Sequence, residues 1–76
     1  LKLAYDAGAR GGSLPTVYNA ANECAVGKFL RGEISYPTIV DMIEGAMENH
    51  KIVEDPNVNQ ILETERGTYD YIEGRW

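Results

Sequence analysis

One cysteine, one histidine, one phenylalanine and one tryptophan in 76 residues leave few groups with which to do chemistry. A single thiol excludes an internal disulfide, and one Cys with one His cannot build a conventional zinc site. No apolar run approaches the roughly 20 residues that span a bilayer, and no signal peptide is legible. Cations are in the minority: seven Lys and Arg stand against 12 Asp and Glu, a formal net charge of −5. That balance argues against nonspecific nucleic-acid binding, which needs Lys and Arg to neutralise phosphates. It argues equally against adhesion to anionic membranes. The lone thiol is compatible with a reducing cytosol. A methionine start is also missing. The chain opens on Leu1-Lys2-Leu3-Ala4, which reads as a trimmed chain or as a domain excised from the end of a longer protein.

Seventy-six residues make one small domain, which buries only about 60% of its unfolded surface. Stability has to come from helix packing or from docking onto something larger. The pattern predicts four helices, over residues 1–9, 15–31, 36–49 and 57–73. Gly8 begins the end of the first, and Gly11-Gly12 supplies a loop in which positive φ carries no Cβ penalty. Pro15 suits the first turn of the second helix, where its missing N–H has no partner to lose, and Gly32 is a C-terminal stop. Val17, Ala21, Cys24, Ala25 and Phe29 fall on one stripe of that helix. Ile39, Ile43, Ala46 and Met47 make the inner face of the third, with Asp41, Glu44 and Glu48 opposite. Asp55-Pro56 marks a boundary. Val58, Ile61, Leu62, Glu65, Tyr69 and Ile72 form the expected stripe of the fourth helix. No alternating apolar pattern suggests a sheet. The expected class is all-α, a compact four-helix bundle-like domain over residues 1–76.

The one motif-like element is Asn19-Ala20-Ala21-Asn22-Glu23. Asn is a poor helix former, so two amides three residues apart on one helical face require a reason. Asn19, Asn22 and Glu23 are read as a structural motif whose amides bind loop backbone or a partner domain. His50 could in principle be a general base, but it lacks a Ser or Cys partner in any legible pattern and stands at a helix end, where a cation suits the dipole. Cys24 on the apolar stripe reads as an inert thiol. Gly8-Ala9-Arg10-Gly11-Gly12 lacks the Gly-Lys-Ser/Thr ending of a P-loop and the strand that precedes a dinucleotide fold, so it reads as a helix–helix loop. The acids spread over helix faces without an acid/base pairing. No catalytic, cofactor-binding or metal-ligating residue is assigned. Five tyrosines favour half-buried and interface positions. Ile72-Glu73-Gly74-Arg75 matches an engineered protease-recognition tetrapeptide, and the sequence leaves open whether that is design or chance.

The Leu1-Lys2-Leu3-Ala4 opening, the Gly11-Gly12 loop, Asn19 to Glu23 with its flanks, Phe29-Leu30, Gly32, Ile34 and Ile39 resemble the C-terminal helical domain of the 1-deoxy-D-xylulose 5-phosphate reductoisomerase family. The resemblance is strong over residues 1–50 and looser over 57–72. Glu65 and Tyr69 stand where the family tends to have Asp and then Arg, Tyr36 where Phe is usual, and Tyr18 where Leu is usual. The resemblance implies a larger, NADPH-dependent enzyme that isomerises and reduces 1-deoxy-D-xylulose 5-phosphate to 2-C-methyl-D-erythritol 4-phosphate in non-mevalonate isoprenoid biosynthesis. It implies a divalent metal (Mg, Mn or Co), upstream catalytic and NADPH-binding domains in the same chain, a homodimeric parent, and a cytoplasmic bacterial or plastid location. Nucleotide, metal and substrate residues of the family lie in its first two domains. This segment is therefore expected to be a supporting domain, inactive alone. The other reading of the residues is a free-standing helical protein-interaction module.

Overall fold

The computed structural model describes residues 2–76, so the expectation of helix at Leu1 lies outside the described residues. Four helices follow in order: α1 (Lys2–Arg10), α2 (Leu14–Leu30), α3 (Tyr36–Asn49) and α4 (Val58–Arg75). No strand occurs among the described residues. The class is all-α and bundle-like. Short turns join α1 to α2 and α2 to α3. A longer connector brings α4 back beside α2 and parallel to it, so that Glu23 meets Tyr69 and Lys28 meets Glu73. α1, α3 and α4 all pack against α2, which is the hub.

Local chemistry explains the helix ends. α1 continues through Gly8, which does not terminate it; the stop is Gly11, whose N–H bonds Ala7 O at 3.0 Å. Gly11 and Gly12 both have positive φ, at 74° and 59°. Gly12 needs glycine twice over, because a Cβ there would sit 2.7 Å from Val53 O. α2 ends in a Schellman motif. Gly32 has a φ of 76°, its N–H bonds Phe29 O, and Glu33 N–H reaches back to Lys28 O. The hydrophobic contact that often accompanies this motif is replaced by an ion pair, Lys28 Nζ to Glu33 at 3.6 Å. At α4 the cap is a full capping box: Asn57 Oδ1 accepts from Gln60 N–H and Gln60 Oε1 from Asn57 N–H.

The core is Ala7, Leu14, Val17, Ala21, Ala25, Met42, Ile43, Ala46 and Ile72. Met42 and Ile72 are fully buried, each contributing about 1.5–3 kcal/mol relative to exposure. Alanines on α2 let its neighbours approach closely. Two expected stripes are corrected. On α2, Val17, Ala21 and Ala25 are buried and the half-buried Cys24 packs against them, but Phe29 lies on the surface, edge-on to Tyr36 with centroids 5.6 Å apart. On α4, the buried line is Thr64, Thr68 and Ile72 at four-residue spacing. Val58, Ile61, Leu62 and Glu65 face outward and Tyr69 is half-buried. Threonines can line the interior because Thr68 Oγ1 donates to Thr64 O at 2.8 Å, which satisfies the hydroxyl within the helix.

Candidate functional site

The polar residues of the Asn19 to Glu23 element lie on the side of α2 turned away from the core. Asn19 and Glu23 are exposed and Asn22 is half-buried. Glu23 Oε1 accepts from Tyr69 Oη at 2.7 Å, tying α2 to α4. Holding that proton on the phenol pushes the Tyr69 pKa up to about 12. Tyr69 is one of the four positions where the sequence departs from the resembled pattern, and it makes this bond. Both Asn side chains lack a hydrogen-bond partner among the described residues, while the alanines between them, Ala20 and Ala21, are buried.

Sequence reasoning missed a second cluster. Ser13 is the N-cap residue of α2, yet its hydroxyl does not cap the helix. It is fully buried and serves the 50–57 connector instead. Val53 N–H donates to Ser13 Oγ at 2.8 Å, Ser13 N–H donates to Val53 O at 2.9 Å, and Ser13 Oγ lies 2.6 Å from His50 Nε2. The Oγ therefore holds both the Val53 amide and the His50 ring at once. Burial pushes the His50 pKa below its ordinary value. Arg10 and Glu54 add a two-pronged ion pair beside this clasp, with one contact of 3.0 Å. Ser13 and His50 thus do pair, contrary to the sequence expectation for His50, but not as nucleophile and base. The hydroxyl is sealed from solvent and bonded to both the Val53 amide and His50, which leaves no approach for a substrate.

Lys28, also unremarked in the sequence, is buried along its stem. Its ammonium reaches the rim to meet Glu73 at 3.1 Å, which raises its pKa. Ile72-Glu73-Gly74-Arg75 therefore lies in the last turns of α4, with Ile72 buried and Glu73 engaged. Cys24 is half-buried and burial raises its pKa, so the thiol form is favoured. A cavity of about 350 Å³ lies between the end of α3 and α4, lined by His50, Gln60, Glu63, Thr64, Thr68 and Tyr71 among others. Among the described residues, no three His, Cys, Asp or Glu side chains gather as a metal-holding group. No described helix is long and apolar enough to cross a membrane.

Comparisons with known proteins agree along nearly all of the chain. The family described as the DXP reductoisomerase C-terminal domain matches residues 1–71. The 1-deoxy-D-xylulose 5-phosphate reductoisomerase of Agathobacter rectalis is 51% identical over 76 residues, covering 100% of this chain and 20% of the relative. That of Lachnoclostridium phytofermentans is 55% identical over 73 residues, covering 96% and 19%. That of a Geobacillus species is 51% identical over 72 residues, covering 95% and 19%. No solved structure matches. The chain spans about a fifth of the length of the curated relatives it matches. With its four helices, its Gly11-Gly12 turn and its outward Asn19 to Glu23 face, the chain belongs to the family of DXP reductoisomerase C-terminal domains.

Proposed function

We propose that this chain is the supporting C-terminal bundle of a 1-deoxy-D-xylulose 5-phosphate reductoisomerase. The parent isomerises its substrate, reduces the product with NADPH, and feeds isoprenoid biosynthesis by the non-mevalonate route. The observation that carries this reading is the match to reductoisomerases over the full chain at about half identity. The parent is a cytoplasmic homodimer whose preceding domains hold the nucleotide and a divalent metal. The residues of this chain do not fit either group. No three metal-ligating side chains come together among the described residues, and the glycine-rich Gly8 to Gly12 stretch joins two helices instead of following a strand.

What this domain contributes is shape. A rigid bundle stapled at Ser13–Val53, Glu23–Tyr69 and Lys28–Glu73 is suited to brace a neighbouring catalytic domain. The test is made on the full-length protein: NADPH oxidation with 1-deoxy-D-xylulose 5-phosphate and a divalent metal, with and without residues 1–76. The expected result is turnover by the intact enzyme, and a lower Tm or lower kcat after deletion. Unchanged melting and unchanged turnover after deletion would refute the bracing role.

A further inference from the structure

The helix α2 has neighbours on three sides and an open fourth side. On that side Asn19, Asn22, Val26, Phe29 and Leu30 recur at three- and four-residue spacing, so they form one continuous stripe. Its apolar end is well exposed, Leu30 at 76%. The stripe extends onto α3 through the Phe29–Tyr36 ring contact, and Val40 follows one turn later. Tyr36 is 69% exposed and Val40 is 52%.

No residue of the stripe itself is charged, in a chain that is 25% charged, and the exposed Glu23 carboxylate borders it. Between Asn19 and Leu30 the ionisable side chains other than Cys24 are Glu23, taken by Tyr69, and Lys28, turned away toward Glu73 and Glu33. A surface with apolar residues at one end and two unpartnered amides at the other has the make-up of an interface. The apolar part excludes water, and each amide offers both donors and acceptors for main-chain groups opposite.

We infer that this stripe, Asn19, Asn22, Val26, Phe29 and Leu30 with Tyr36 and Val40, is the docking face for the portion of the parent polypeptide that precedes this domain. The inference rests on the reading of the chain as the C-terminal part of a reductoisomerase. The occupant follows from length: the matched relatives carry about four-fifths of their chain outside this region. That remainder presents an apolar surface to Leu30 and Tyr36, with free main-chain N–H and C=O groups against the two amides. The motif is then a docking element. Its alanines bury inward against the bundle while its asparagines reach outward to the neighbour.

Hydroxyl-radical footprinting of the full-length protein tests this. In the bundle alone Leu30 and Tyr36 are open, so they would be labelled nearly as fast as in the unfolded chain. A docked face slows labelling at Phe29, Leu30 and Tyr36 by about tenfold relative to the protein in urea, since the centre of an interface excludes water. Leu30→Glu should restore labelling at Tyr36 without loss of helicity. Leu30 and Tyr36 labelled at the unfolded rate in the intact protein would overturn the inference. So would protection that disappears when the protein is diluted to monomer, because the occupant would then be a second copy. Turnover with both residues freely labelled removes the interface and leaves the activity. Protection without any reductive turnover removes the activity and leaves the interface.

Discussion

Ser13→Ala is the most demanding test of how this bundle is held. The substitution removes one oxygen from a fully buried site and breaks two bonds together, Val53 N–H to Oγ at 2.8 Å and the hydrogen bond between Oγ and His50 Nε2 at 2.6 Å. A typical hydrogen bond contributes about 0.5–1.5 kcal/mol net, and a buried donor left without a partner costs about 1–3 kcal/mol. Val53 is half-buried, so its amide recovers part of that from solvent, and a loss of about 2–3 kcal/mol is expected. At roughly 0.05–0.15 kcal/mol per residue the whole domain is worth about 4–11 kcal/mol, so the loss is a large fraction of it. It corresponds to a fall in Tm of about 10–20 °C for a domain of this size. Urea denaturation followed by circular dichroism gives the free energy, and a cycle with His50→Ala isolates the pair, with a coupling of about 0.5–1.5 kcal/mol expected. A Ser13→Ala variant within about 0.5 kcal/mol of the parent, the range of an uninvolved surface change, would refute the clasp as a stabilising element.

Three further outcomes follow from the geometry. His50 has a pKa lowered by burial from its ordinary 6.5, so the unfolded chain binds its proton more readily. Stability from this group is complete above pH 6.5 and falls as pH drops through the lowered folded value; pH-dependent denaturation should show this slope, and His50→Gln should lose it. Gly67→Ala should stabilise by about 0.5–1 kcal/mol, since helix propensity favours alanine and no atom lies within 4 Å of the new Cβ. Gly45→Ala should gain less or lose, because its Cβ would meet Tyr71 Oη at 3.1 Å and the Trp76 ring at 3.2 Å; paired thermal melts decide it. Among the five tyrosines, ultraviolet titration should find one phenol ionising near pH 12, and Tyr69→Phe should remove that component.

Much of the helical architecture was legible because punctuation is a local property. Gly11-Gly12, Ser13 with Pro15, Gly32 and the Asp55-Pro56 boundary act within a turn or two of themselves. The buried face of α4 was not legible. Hydrophobicity pointed to Val58, Ile61 and Leu62, whereas close packing beside alanine-rich α2 selects Thr64 and Thr68, whose hydroxyl chemistry is satisfied within the helix. Ser13 and His50 are 37 positions apart, and their meeting depends on the path of the 50–57 connector, which no periodicity reports. The Asn19 to Glu23 element stood out in the sequence, but its direction did not. Only the packed α2 shows that the alanines face in and the amides face out.

The hub arrangement also sets an order of assembly. α1 with α2, and α2 with α3, are contacts between chain neighbours, which form at small loop-closure cost. The α2 to α4 seam joins elements about 45 residues apart and carries a larger loop-closure cost. By loop-closure cost, α4 is the element expected to dock late, and hydrogen exchange of its amides checks this. With α4 undocked the alanine flank of α2 is bared while the Gly11-Gly12 and Gly32 turns persist. A bundle built this way has one removable stave, and the clasp at its foot decides how often that stave comes away.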